Sequence, residues 1–457
     1  MPDGTITEES GIGLMEGVTG ALSRDAAEAA GGGEPEWLRQ RRIEAWETYE
    51  RTPMPTTRLE EWRYTDLSRK LELDALELLS PDEPGALDRA VSDLPERVRA
   101  AMEEDREASG HLVEVDGAVV HADLLDELSD KGVVLTSLKR AVEEHPEILR
   151  EHLATKAVPP EEGKFPALNA ALWTDGVLLY VPRGVRLDLP VRVTRWLSEA
   201  GVAAFSRVLV IAEPGSQVSY VDEILSPDLE AQSLAMSAVE IIAQQDAQVQ
   251  YVSLQRMGRG AFYMAHQRTL AQRDSTLDTL NVSLGGSVTR VDLNARLLGP
   301  GANSDMLGLY FGDGEQHFDH NTSQAHVAPH TFSDLLYKGA LDGKSRAVFR
   351  GIIRVHEGAQ QTDAYQTNRN LLLSDEARAD SLPNLEIEAD DVRCSHGATV
   401  GQLDQDAIFY LMSRGMSRPA AERLVVLGFL GEVLRRLPLG GVVEKVTRII
   451  EEKLGYV

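Results

Sequence analysis

Two segments of this 457-residue chain hold side chains that could do metal chemistry. The first is Ala389-Asp390-Asp391-Val392-Arg393-Cys394-Ser395-His396-Gly397-Ala398-Thr399-Val400-Gly401. Cys394 and His396 lie two apart, and in an extended strand residues i and i+2 share a face. A thiolate and an imidazole on one face could hold a soft metal or a cluster edge together. Arg393, next to the thiol, is expected to help lower its pKa. Cys394 is the only cysteine. One Cys and one His cannot complete a four-ligand site, so the missing ligands must come from another chain or from the substrate. The competing reading is a buried structural cysteine.

The second segment runs from Gly314 to His330 and holds four of the eleven histidines: His317, His320, His326 and His330. With Asp319 they could bind iron or zinc. Their spacing matches no standard metal motif, and the alternative is a set of hydrogen-bonded histidines on a turn and strand. Other chemistry finds little support. Gly343-Lys344-Ser345 ends like a phosphate-binding loop, but Lys338 stands where that loop needs its first glycine, so no bound nucleotide and no ATP hydrolysis are expected. There is no Gly-x-Ser-x-Gly elbow and no His-Glu-x-x-His helix.

The elements that would position these residues fall into blocks. Residues 1–33 end in three glycines and hold few large apolar residues, so a disordered tail is expected. Residues 34–165 read as a mostly helical domain. Trp37, Ile43, Ala45, Trp46 and Tyr49 share a helical face until Pro53 and Pro55 interrupt. A helix-like stretch from Leu87 to Met102 should break or restart at Pro95, and His111–Val115 and Ala118–Val120 read as strands. Between the helices, the aromatics of Glu60-Glu61-Trp62-Arg63-Tyr64-Thr65 read as packing anchors.

Over residues 166–400 the period changes to two. Short strands recur, among them Val177–Val181, Arg207–Ile211, Ala238–Ile242, Gln248–Val252, Arg290–Leu297 and Ala347–Val355. No clear helical pattern separates them, which argues against a doubly wound α/β sheet. Pro214-Gly215-Ser216-Gln217-Val218, Asp246-Ala247-Gln248-Val249 and Glu357-Gly358-Ala359-Gln360 resemble a repeated coil corner. The expected fold is therefore mainly β: a right-handed parallel β-helix flanked by N-terminal and C-terminal α-helical domains that could cap its ends. Residues 401–457 form the C-terminal helical domain. One helix begins at Leu403-Asp404-Gln405-Asp406 and ends at Gly415. A second has Ser417 as N-cap and runs to Pro438. A third covers Val442 to Leu454. The second is apolar on more than one face over 421–437, so it is either deeply buried or turned toward a partner chain.

Composition narrows the classes. The net charge is −27, of which −19 falls in residues 1–165 and −8 in the rest. Nucleic acid and anionic membrane are poor partners for such a surface. One cysteine excludes a disulfide framework. The N-terminal MPDGTITEES lacks a basic, then apolar, signal pattern, and no run approaches ~20 uninterrupted apolar residues, so the cytoplasm is expected and no membrane span.

The longer segments around the Cys-His pair resemble the SufB/SufD family of iron–sulfur cluster assembly scaffolds. The resemblance is carried by residues 358–374 (GAQQTDAYQTNRNLLLS), by 385–392 (LEIEADDV), by Cys394-Ser395-His396-Gly397-Ala398-Thr399, by 409–415 (FYLMSRG) and by Glu61-Trp62-Arg63-Tyr64-Thr65. It covers roughly 35–457. Two details favour the SufD branch. SufB-like chains carry Glu after the His, where this chain has Gly397, and a further Cys near Glu376–Ala379, where this chain has none.

The resemblance implies a non-catalytic scaffold subunit. It implies pairing with SufB and recruitment of the SufC ATPase by the C-terminal helical domain, helix 421–437 lying near that contact. ATP hydrolysis then belongs to SufC, whose dimerisation shifts SufB against SufD. It implies a transient iron–sulfur cluster at the SufB–SufD interface, with Cys394 and His396 as this side's ligands and sulfur arriving from a desulfurase through SufB. Flavin binding is left open. Two other readings compete. A SufB-like homodimer would bring two Cys394 and two His396 together. A polysaccharide-active β-helix enzyme would need aromatic sugar contacts, against which the 5% aromatic content argues.

Overall fold

At one of the two corners of each coil a single residue turns the chain. Gly215, Asp246, Asp274, Gly301, His330 and Gln361 all have φ between 55° and 77°, in the left-handed region. Five of these backbone N–H groups bond to the next coil: Gly215 to the Gln245 carbonyl, Asp246 to Arg273, Asp274 to Pro300, His330 to Gln360 and Gln361 to Asp391. Gly, Asp and Asn adopt this conformation most readily, which is why turns here are rich in Gly and Asp. The residue after each corner is small and buried: Ser216, Ala247, Ser275, Ala302, Thr331 and Thr362. The chain can then pass close beneath the neighbouring coil. Two of them, Gly215 and Asp246, lie in the repeated corner element expected from the sequence, while the third stretch read that way, Glu357–Gln360, ends one residue before the left-handed Gln361.

The computed structural model describes residues 18–81, 87, 89–104, 107–437, 439 and 441–455. Between corners the chain alternates between two sheets, one of eleven strands and one of ten. Within the coils all pairing is parallel. Ala238, for example, pairs with Arg207 of the coil before and His266 of the coil after. Each coil thus spends one strand in each sheet, and the architecture is a parallel β-solenoid. Strands such as Val202–Ala212 and Ser233–Ala243 are buried on both faces, so they read as near-continuous apolar runs.

The outer face of the eleven-stranded sheet is covered by N-terminal helices, including Glu36–Arg51 and Lys164–Leu172. The outer face of the ten-stranded sheet is covered by the helices Arg418–Leu434 and Val442–Lys453. The acidic sequence boundary near Pro166 falls inside the first of these covers, in the Lys164–Leu172 helix.

The interior between the sheets is filled by interlocking aromatics and glycines. Tyr310 stacks on His320 at 4.8 Å, and Tyr337 meets the same ring edge-on at 5.7 Å. A β-carbon on Gly339 would lie 1.8 Å from the Tyr310 ring, and one on Gly308 would lie 2.2 Å from Tyr337. The glycines are the space the tyrosines occupy.

Three expectations are revised. Residues 1–17 of the expected disordered tail lie outside the described residues. Within 18–33 the chain is ordered: strand Val18–Ala21 pairs antiparallel with Glu77–Ser80, and helix Arg24–Ala30 follows with Ser23 as its cap. The N-terminal domain holds the two strands expected at His111–Val115 and Ala118–Val120 and two more beyond that expectation, Glu77–Ser80 and Val134–Ser137. The hairpin Gly110–Val115/Ala118–Leu124 turns at Asp116-Gly117 (φ 48° and 78°) and extends the ten-stranded sheet, while Glu77–Ser80 and Val134–Ser137 join the other. Finally, the C-terminal helices cover a flank of the solenoid and do not cap its end. Helix Arg418–Leu434 packs on strands Asn303–Gly312 and Phe332–Leu341.

The Trp62 segment is an anchor, as read. Its ring packs against Phe165 at 5.7 Å and lies 3.6 Å from the Arg290 guanidinium, which also donates to the Glu61 carbonyl at 3.0 Å. Thr65 hydrogen-bonds His317 and donates to Asp319 on the solenoid.

Gly339→Ala should destabilise the fold by about 1–3 kcal/mol through overpacking against Tyr310. Gly358→Ala, with no heavy atom within 4 Å of its added carbon, should stay within about 0.5 kcal/mol of wild type. Urea unfolding midpoints of the two variants check the difference.

Candidate functional site

The last coil has partners on one side only. Val392–Gln402 pairs with Thr362–Leu372 and ends the ten-stranded sheet. Arg378–Ile387 pairs with Arg346–Val355 and ends its own path through the other sheet. Both strands therefore present backbone N–H and C=O groups outward. Most side chains of Val392–Gln402 are exposed and most of Arg378–Ile387 are half-buried; Leu385, Ile387 and Val400, with Tyr365 on the strand before, contribute apolar surface at this end.

Cys394 and His396 sit on that final strand. The strand is extended, so the i, i+2 reading holds: both project from the face that continues the solenoid interior. Their register neighbours in the coil below are Ala364 and Gln366. Cys394 is half-buried and packs on the last apolar cluster of the interior: Ile353, Val355, Ala359, Ala364 and Ala389. His396 is exposed. The thiol therefore has one side in the core and one side toward the open end.

The electrostatics differ from the sequence expectation. The Cys394 thiol is pushed up from its ordinary value, first by burial and then by the Asp363 carboxylate, against a smaller lowering by the Ala364 backbone hydrogen bond. Arg393 does not lower it. Adjacent residues of a strand point to opposite faces, so the guanidinium is carried away from the sulfur. Asp363, in the paired strand, was the neighbour that sequence adjacency could not show. At Gly397 the nearest atom to an added β-carbon is the Tyr365 hydroxyl at 3.9 Å. Glycine at this position is therefore not demanded by packing.

The His317–His330 segment does not converge on a common point. Three of its histidines are buried and occupied separately. His317 Nε2 is 2.9 Å from the Thr65 hydroxyl. His320 Nε2 is 3.1 Å from the Ser283 hydroxyl. His326 is bracketed by Thr331 and Ser333, each at 2.7 Å. Burial holds His317 and His320 down to about 3 and His326 to about 4, so all three stay neutral. His330 is the corner residue of its coil. Among the described residues no group of three or more His, Cys, Asp or Glu side chains could hold a metal ion. The hydrogen-bonded alternative is the one observed for the three buried rings.

The C-terminal helices carry a second feature. Ala421, Val426, Leu430, Val433 and Leu434 of Arg418–Leu434 are buried against the solenoid and Val442–Lys453. Lys338 Nζ donates to the Phe429 carbonyl at 3.0 Å and pins the helix to the sheet. This packing accounts for most of the surplus apolar face expected over 421–437. The uncovered apolar surface lies chiefly one helix earlier. In Gln405–Ser413, Phe409 is 72% exposed and Tyr410 57%, and Met412 is exposed as well, as is Leu424 on the following helix. The run Ile408-Phe409-Tyr410-Leu411-Met412 is apolar all round its short helix, which was the available signal. Among the described residues no helix is long and apolar enough to cross a membrane.

Comparison with known proteins agrees with these features. The family model described as "SUF system FeS cluster assembly, SufBD core domain" matches residues 195–429, and the "SufBD protein N-terminal region" model matches 107–193. The chain is similar to the iron–sulfur cluster assembly protein SufD of Bacillus subtilis, with 32% identity over 92% of this chain and 95% of that protein. It is similar to a SufBD family protein of Staphylococcus epidermidis (28% identity; 94% and 91% covered) and to one of Staphylococcus saprophyticus (29% identity; 90% and 88% covered).

A raised thiol pKa means little thiolate at neutral pH. Cys394 should therefore react with a soluble disulfide reagent more slowly than free cysteine at pH 7, and Asp363→Asn should speed it by removing one of the two raising causes. The pH–rate profile of the wild type and the variant checks both the sign and the cause. A profile unmoved by Asp363→Asn would remove the carboxylate from the account.

Proposed function

This chain belongs to the SufBD family of iron–sulfur cluster assembly proteins, and from that premise we propose that it acts as a SufD-type scaffold subunit, pairing through its open solenoid end with a SufB-type partner. The observation that carries this reading is the placement of Cys394 and His396 on the unpaired last strand. An edge with outward N–H and C=O groups invites strand addition from another chain. The same association would bring that chain's ligands to a thiol and an imidazole that cannot complete an iron site alone. The nascent cluster is the cargo of this interface and not a resident group.

The raised Cys394 pKa suits such a role. The thiol stays protonated while the site is empty. Iron binding displaces that proton, since the thiolate is the ligand, so occupancy depends on the metal being delivered. Cys394 and His396 hold the cargo from this side, and this chain performs no catalysis of its own. ATP hydrolysis is assigned to a SufC-type ATPase. The exposed Phe409 and Tyr410 helix is the dock we assign to it, in place of the buried face of 421–437. Large exposed aromatics of this kind are frequent interface anchors.

Two outcomes follow. In a complex co-expressed with SufB-type and SufC-type subunits, Cys394→Ala and His396→Ala should each leave the complex intact but strip most of its anaerobically measured iron and sulfide. Wild-type cluster content in both variants would refute the ligand assignment. Phe409→Asp should weaken retention of the ATPase about 30-fold, the equivalent of a hot-spot loss near 2 kcal/mol, while the melting temperature of the isolated chain stays unchanged. Full ATPase retention would exclude this helix as the dock.

A further inference from the structure

Gln366 is fully buried, yet neither its amide oxygen nor its amide nitrogen has a hydrogen-bond partner. Buried polar groups are nearly always paired, and an orphaned one asks for a reason. A buried amide without a partner is destabilising, so a partner that arrives only in the working state is a physical reason to keep it.

The ladder places an imidazole one coil above it, with which it makes no hydrogen bond in the empty site. Gln366 lies directly beneath His396 in the parallel ladder, on the same face, one coil further in. Neighbouring strands are about 4.8 Å apart, within reach of a glutamine amide and an imidazole that turn toward each other. The side chain reaches across the interior to the opposite sheet. A β-carbon on Gly351 would sit 2.3 Å from Gln366 Nε2 and 2.7 Å from Oε1. The amide is thus laid against a bare backbone at Gly351 and forms part of the floor of the open end. Its neighbours along the strand are occupied elsewhere. Asn368 Nδ2 donates to the Tyr310 hydroxyl at 3.2 Å, and Asn370 Nδ2 donates to Asn368 at 2.8 Å.

We propose that Gln366 is the positioning residue for His396: its amide oxygen accepts the N–H of the ring nitrogen that does not face the iron, fixing the tautomer and the ring plane. Metal-ligating histidines characteristically donate their second N–H to such an acceptor, and losing it typically lowers metal affinity 10–100-fold. The assignment rests on the reading of Cys394 and His396 as ligands.

The test uses the co-expressed complex, stripped of metal and titrated anaerobically with ferrous iron and sulfide. Gln366→Leu should lower apparent iron affinity at least about tenfold and change the histidine-nitrogen hyperfine coupling in pulsed EPR of the reduced cluster, with complex and melting temperature retained. Gln366→Glu keeps an acceptor and should restore most of the affinity, which a merely space-filling role would not require. Adding Gln366→Leu to His396→Ala should cost nothing more. Loss in His396→Ala together with wild-type binding and coupling in Gln366→Leu would overturn the positioning role alone. Wild-type binding in His396→Ala would overturn the ligand reading, and the positioning role with it.

Discussion

A parallel solenoid satisfies each strand with the coil before and the coil after, so its first and last coils are each left with one unpaired side. This protein treats its two ends differently. At the start, antiparallel strands close the sheets: the Gly110–Val115/Ala118–Leu124 hairpin on one, Val18–Ala21 and Val134–Ser137 on the other. At the finish, Arg378–Ile387 and Val392–Gln402 keep an open side. Exposed strand edges are normally a liability. Here the open one holds the chain's single thiol, and the rest of the molecule is arranged so that the edge stays in place. Helices cover both flanks, glycines and tyrosines lock the interior, and a corner residue in each coil keeps the register.

The register matters because it carries chemistry as well as shape. In a ladder without slippage, every position on the last strand has a fixed neighbour one coil in. Cys394 therefore always stands over Ala364 and His396 over Gln366. Asp363 stands opposite Arg393, one position along from the residue beneath the thiol, and from there its carboxylate acts on the thiol through space. A one-residue slip would turn the Cys394 and His396 face away from the interior.

The sequence showed the corners and the helices well, because both rest on local rules. Left-handed corners favour Gly and Asp, although His330 and Gln361 also hold that conformation here, and Ser417 and Asp404 cap the helices through their own side chains. It showed the Cys-His pair because period two is independent of what surrounds the strand. It missed strands such as Ala261–Ala271, His317–His326 and Thr362–Leu372. Their inward positions hold Gln267, His320, Gln324, Gln366 and Asn368, buried polar residues that break the apolar alternation on which strand reading depends. The reason these residues are tolerated is tertiary: most find partners across the interior, as His326 does with Thr331 and Ser333. The same cause hid Asp363 from the thiol, since the two are 31 positions apart in sequence and adjacent only in the ladder. The surplus apolar face of 421–437 was legible, but which of its two readings holds, burial or a partner, depends on the solenoid flank that Arg418–Leu434 meets, and burial is the one observed for most of it.

We place this chain's contact with its partner at the unpaired edge of the last coil. Amide hydrogen exchange along Val392–Gln402 tests it directly, measured for the chain alone at a concentration where it is monomeric and again with a SufB-type subunit. The account predicts that amides on the open side of this strand exchange quickly in the free chain and become protected in the complex, while the corner amides of earlier coils do not change. Equal exchange across 392–402 in the two states, in a complex shown to be intact, would contradict it.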